Sequence, residues 1–262
     1  MRVEIFTHRN CIECNMLIEW LEERGYLHKV KLIDTELYPF LAFERGVIST
    51  PSVFVDGKLV FAGVVDYDEL ERILGGEEVK IRVNKDELVN KFMEGIVNSF
   101  AATANLYVNK DFDAILTQKD FVLAVTGLVL SDNSEDLYNY LRNVVTKSSE
   151  ELFEAWKERM KRVIAANFVR ELYWLYREKV PLEKAMALYP FEVFYHWVQI
   201  RGGAVGRVGL RIHPVSETEV VERVREAYEY LKANYEALWE KVIKEQKEIE
   251  SKSLEYRRLV EA

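Results

Sequence analysis

The chain has 262 residues, 49% of them hydrophobic and 31% charged, with a net charge of −8; that length exceeds a single domain of about 100–200 residues and leads us to expect two domains with separate cores. Residues 1–76 carry 8 basic and 13 acidic side chains and the remainder 28 and 31, so neither part has the basic excess that binding a phosphate backbone requires, and no nucleic-acid partner is expected. The longest apolar run, Phe121 to Leu130, is too short for a bilayer, and no cationic leader precedes a small-residue cleavage site, so a cytoplasmic protein without a membrane partner is expected.

Arg2, Val3, Glu4 and Ile5 alternate polar and apolar as a strand does, with Phe6 turning toward a buried end. His8-Arg9-Asn10-Cys11-Ile12-Glu13-Cys14 follows, placing the only two cysteines three positions apart where strand hands over to helix. Two thiols at that spacing close a small ring: one can attack a partner's disulfide and the other can release the mixed disulfide that results. Cys11 is the expected attacker. At a helix's first turn its sulfur faces unpaired backbone N–H groups and the positive end of the dipole, and His8 and Arg9 add to this if they point inward. Glu13 opposes it. Cys14, one turn further in, suits the resolving role. Two other readings stay open: half of a zinc site with His8 as a third ligand, although a closed structural site needs four, or two inert structural thiols. The position between strand and helix favours redox work, and two cysteines in so long a chain make no disulfide scaffold.

From Cys11 to Arg24, Ile12, Met16, Leu17, Trp20 and Leu21 recur at helical spacing, and Gly25 supplies a stop. Leu27 to Ile33 read as a second strand; strand, helix and strand in this length form a right-handed crossover with the two strands parallel. A short helix is predicted across Phe40 to Arg45. Ser49 to Val55 and Lys58 to Gly63 are β-rich runs joined by Asp56-Gly57, the signal of a two-residue hairpin. Asp66-Tyr67-Asp68-Glu69 has capping-box form and opens a helix through Leu74 that stops at Gly75-Gly76.

Taken in that order, Arg2 to Gly76 resembles a glutaredoxin or small thioredoxin-like domain, over less than a third of the chain. The features that carry the resemblance are Cys11-x-x-Cys14 after the first strand, Thr50-Pro51 before the third, the Asp56-Gly57 hairpin, and Gly63 before the last helix. It implies a cis Pro51 packed beside the cysteines, Thr50 presenting backbone groups to an extended substrate, and a substrate-binding place for Gly63. Ile12-Glu13 is neither the Pro-Tyr usual in glutaredoxins nor the Gly-Pro of thioredoxins, and this dipeptide controls how readily the disulfide forms. Glutathione-binding glutaredoxins tend to show Gly-Gly and an acidic pair after the fourth strand, whereas here Val64-Val65-Asp66 follow Gly63. A reductase-type electron donor rather than glutathione is therefore expected.

Glu77 to Val83 alternates charge with Val79, Ile81 and Val83, as an edge strand or an extended connector, and the domain boundary is placed there. The expected fold class is α+β in two domains: a thioredoxin-like fold over residues 1–78, with a mixed four-stranded sheet and helices, then an all-α helical domain over residues 84–262. Helices are predicted at 85–108, 112–130, 135–146 and 149–179, with Pro181 starting another. The cluster from Tyr189 to Trp197 is expected to be core rather than a cofactor pocket. Glu192 and His196 share a helical face, and a buried, hydrogen-bonded histidine is expected there rather than a metal. Arg201 to Arg211 holds four glycines and three arginines, an elbow with solvated arginines in preference to an anion cradle.

The last helix starts between Ser216 and Glu219. Val221, Val224, Tyr228, Leu231, Tyr235, Leu238 and Val242 then recur at alternating spacings of three and four, making one apolar seam. The seam faces either the domain's own core or a second copy in a homodimer, and Glu245 ends the repeat, so only the earlier part of the helix is expected to dock. Three glutamines beside so many charges hint at a thermophile. The expected function is a cytoplasmic thiol–disulfide oxidoreductase acting on protein disulfides, needing neither metal nor cofactor. The alternative is a binding or assembly protein whose helical domain the cysteine pair regulates as a redox sensor.

Overall fold

The computed structural model describes residues 1–8, 10–204 and 217–260. Strands β1 (Val3–Thr7), β2 (Val30–Asp34), β3 (Ser52–Val55) and β4 (Lys58–Ala62) form one mixed sheet in the order β2-β1-β3-β4. β1 runs parallel to β2, with Val3 opposite Val30 and Thr7 opposite Asp34, and antiparallel to β3, which pairs antiparallel with β4. Helix α1 (Ile12–Glu23) makes the crossover from β1 to β2, and α2 (Pro39–Glu44) and α3 (Tyr67–Leu74) flank the hairpin in sequence. Beyond these come α4 (Lys85–Asn98), α5 (Phe100–Asn109), α6 (Phe112–Leu116), α7 (Lys119–Val125), α8 (Ser134–Lys147), α9 (Ser149–Tyr176), α10 (Leu182–Leu188), α11 (Phe191–Ala204) and α12 (Thr218–Val260). Among the described residues no helix is long and apolar enough to cross a membrane.

The expected cap at Asp66 forms, and α4 has a cap of its own at Asn84. Asp66 Oδ1 accepts the Glu69 N–H at 3.1 Å, and Asn84 Oδ1 accepts the Asp86 N–H at 3.1 Å. Two stretches predicted as single helices are broken. Ser99 is extended and buried, and its hydroxyl donates to the Ile48 carbonyl at 3.1 Å, a tertiary bond that interrupts the run between α4 and α5. Gly127, at φ +74°, ends the helical run after α7, which gives way to a 3-10 turn at Leu128–Leu130. The second strand also starts late, because Leu27–Lys29 is a 3-10 turn. No strand forms over residues 77–83; the Ile81 N–H donates to the Leu130 carbonyl at 3.0 Å instead.

The chain forms two compact units, the first made of residues 1–99, 116–147 and 248–262. Its core includes Ile5, Phe6, Leu17, Leu21, Ile33, Val53 and Leu70. β1 is buried on both faces, which overrides the alternation read from its sequence. Glu4 is 3% exposed, its carboxylate held between the Arg2 and Arg45 guanidinium groups. α7 packs against β4, and α4 packs against α7 and α8.

The α4–α7 contact requires a glycine. A Cβ on Gly95 would lie 2.4 Å from Val125 Cβ. Gly95→Ala should lower stability by about 1–2 kcal/mol in thermal unfolding, the overpacking outweighing the helix propensity gained. Combining it with Val125→Ala should return part of that loss; a single variant as stable as the parent would show that the helices part freely.

The second unit comprises residues 100–115 and 148–247. α5 packs against α9 and α11, and the aromatic cluster is core: Phe168 meets Phe194 and Trp197 edge-on at 5.2 and 5.0 Å. Glu192 and His196 lie on the exposed side of α11, which corrects the expectation of a buried histidine. Of the glycine- and arginine-rich segment, residues 205–211 lie outside the described residues, as does Ser216.

The seam of α12 is buried from Val224 through Val242. Tyr228 donates to the Tyr189 carbonyl at 3.1 Å, and Tyr235 donates to that of Val180 at 2.9 Å, both within this unit. Docking also continues past the expected break. Arg170 pairs with Glu245 at 2.8 Å, and Trp174 Nε1 donates to Gln246 Oε1 at 2.8 Å. Leu231 is fully buried, so Leu231→Glu should destabilise the protein by about 3–5 kcal/mol, the cost of an unpaired buried charge. Circular dichroism melting tests this, and an unchanged transition would place Leu231 at a surface.

Candidate active site at the Cys11–Cys14 pair

β1 runs through the middle of the sheet and delivers the chain, at the end where β2 also finishes, to the turn that opens α1. In that turn the Cys11 N–H donates to the His8 carbonyl at 3.1 Å. Cys11 is the extended N-cap residue of α1 and its carbonyl accepts the Asn15 N–H at 3.1 Å. Its sulfur accepts the Cys14 N–H at 3.1 Å, the bond that a serine or aspartate oxygen makes at other helix starts. Cys11 and Cys14 are joined as a disulfide, with Cα atoms 5.2 Å apart. Cys14 is wholly buried in α1, while Cys11 keeps part of its surface in water. The two sulfurs are thus unequal, Cys11 being the one open to solvent.

The loop before β3 supplies the other wall. The Thr50–Pro51 peptide is cis, and the Thr50 carbonyl oxygen lies 3.5 Å from Cys11 Sγ. The Pro51 carbonyl accepts the Gly63 N–H at 2.8 Å. Gly63 has φ +81°, and a Cβ there would lie 2.7 Å from Ser49 Oγ, so only glycine fits. Thr50 stands at the sulfur itself; Gly63 stands behind it, its N–H already engaged.

His8 is not placed as the sequence suggested. Its Nδ1 accepts the Asn10 N–H at 3.1 Å, and its Nε2 sits 3.3 Å from Glu36 Oε1. Arg9 lies outside the described residues. Among the described residues no three His, Cys, Asp or Glu side chains are grouped to hold a metal ion.

Charges at the sulfur pull in opposite directions. The Cys14 N–H and the helix N-terminus favour a thiolate, whereas Glu13 Oε2, 3.9 Å from Cys11 Sγ, and the Thr50 carbonyl disfavour one. Glu13 also helps to push the Tyr67 phenol above its usual range, after burial, the larger cause.

Sequence reasoning missed Glu36, because nothing local marks a carboxylate that turns back onto His8. It also missed the exposure of Leu37, Tyr38, Phe40 and Phe43. A signal was present: an apolar run over a helix of under two turns, of which only Ala42 is buried.

A family model described as a thioredoxin domain matches residues 1–75. No curated protein and no solved structure matches the chain. Residues 1–75 thus match the thioredoxin-domain model and fold in a thioredoxin-like way, and no other family is recognised in the helical remainder.

Proposed function

We propose that the chain is a thiol–disulfide oxidoreductase that reduces or exchanges disulfides of other proteins through Cys11 and Cys14. The observation that carries this reading is the unequal pair at a helix start: a partly exposed Cys11 beside the Thr50 carbonyl and a buried Cys14 one turn behind. In the reduced protein the Cys11 thiolate attacks one sulfur of a substrate disulfide. The Cys11–substrate bond forms as the substrate's own S–S bond breaks, and the departing sulfur takes a proton. Cys14 then loses its proton, attacks Cys11 Sγ and expels the second substrate thiolate. Two electrons have passed to the substrate, and the Cys11–Cys14 disulfide remains.

A dithiol protein of the reductase class is the proposed source of electrons that reopens it. Thr50, Pro51 and Gly63 are the proposed substrate-binding residues: Thr50 offers its backbone to an extended chain next to Cys11, and Pro51 and Gly63 hold that loop in place. Two cysteines in 262 residues, too few for a disulfide framework, support a cytoplasmic site of action.

With a protein disulfide as substrate and a dithiol as electron source, Cys11→Ser should reduce turnover to background. Cys14→Ser should accumulate mixed disulfides, visible as mass adducts. Faster alkylation of Cys14 than of Cys11 at neutral pH would reverse the roles. A single change of affinity or assembly on oxidation, with no repeated turnover, would replace the enzyme by a redox sensor.

The electron source makes a separate expectation, motivated by Val64-Val65 after Gly63. A coupled assay should show little turnover with glutathione. A rate that is high and saturates in glutathione would overturn the choice of donor.

A further inference from the structure

We propose that Glu13 is an electrostatic brake on Cys11, holding the attacking thiol protonated and favouring the closed disulfide over the ionised dithiol. The proposal rests on Cys11 as the attacking sulfur. Glu13 is exposed in the first turn of α1, and its Oε2 lies 3.9 Å from Cys11 Sγ. A disulfide sulfur is neutral, so the carboxylate acts almost wholly on the reduced, ionised form. There it opposes the Cys14 N–H that points at the same sulfur.

The groups facing this sulfur come from several elements. On α1 they are Glu13 and the Cys14 N–H, and before β3 the Thr50 carbonyl; His8, in the turn before α1, turns its ring nitrogens to Asn10 and Glu36, and Tyr67 on α3 carries a phenol that the Glu13 charge helps to push up. Glu13 is a full negative charge among dipoles and a histidine already set against a carboxylate. It therefore makes the pair a slower attacker near neutral pH and a stronger reductant at the alkaline pH where the thiol ionises.

An acidic residue in a helix's first turn can also serve the helix alone, so the test reads the thiol. In a reduced Cys14→Ser background, the pH profile of Cys11 alkylation should shift down by about half to one pKa unit in Glu13→Gln. Glu13→Asp should stay near the parent, and about 1 M salt should draw the parent toward the Glu13→Gln value. In the two-cysteine protein equilibrated with dithiothreitol at about pH 9, Glu13→Gln should weaken the disulfide by up to about tenfold, a potential about 30 mV less negative. An alkylation midpoint that stays or rises in Glu13→Gln overturns the brake, even if the protein turns over substrates. A midpoint that falls in a protein without turnover upholds the brake and removes the reductase reading.

Discussion

The hydrogen bond from the Cys14 N–H to Cys11 Sγ ties the site to the fold. The sulfur satisfies a backbone donor that the first turn of α1 would otherwise leave open. That requirement aims the sulfur at the helix axis and sets Cys14 within bonding reach. β1 holds the turn rigidly because it lies between β2 and β3 and is buried along its whole length. The N-cap is thus part of the helix's stability and of the sulfur's electrostatics at once.

The second wall depends on backbone shape. Pro51 and Gly63 are joined by a 2.8 Å hydrogen bond, and Gly63 can hold its left-handed conformation against Ser49 only without a side chain. Ser52 fixes the same loop by donating to the Ser49 carbonyl at 2.7 Å. These contacts place the Thr50 carbonyl at the sulfur with backbone atoms and small side chains. Beyond this end of β2, the turn that carries Glu36 leads to the exposed Phe40 and Phe43 of α2.

The helical unit directs its chemistry inward. Arg223 donates to the Val108 carbonyl at 2.7 and 3.1 Å, capping the last turn of α5, and Tyr107 donates to the Arg223 carbonyl at 2.7 Å. Burial pushes the Tyr107 phenol well above its usual range, so it stays a proton donor. Arg170 and Trp174 instead meet α12 side chain to side chain, at Glu245 and Gln246. These polar side chains meet buried backbone and side-chain groups of the aromatic helices, although among the described residues Trp239 Nε1 and Gln246 Nε2 are buried without a hydrogen-bond partner.

By itself the sequence determined most elements of residues 1–76 and the cysteine pair at the start of the first helix, because each signal is local. Alternation, the Asp56-Gly57 turn, the Asp66 cap and the Cys11-x-x-Cys14 spacing all act within a few residues. The tertiary structure decided what depends on residues far apart. Ser99 breaks a helix by reaching Ile48, 51 positions away; Arg45 allows Glu4 to be buried from 41 positions away. Gly95 is required by Val125, and His8 is drawn to Glu36. Local propensity carries no record of such partners, and burial decides them: a buried donor, charge or backbone must be met by whatever the fold brings beside it.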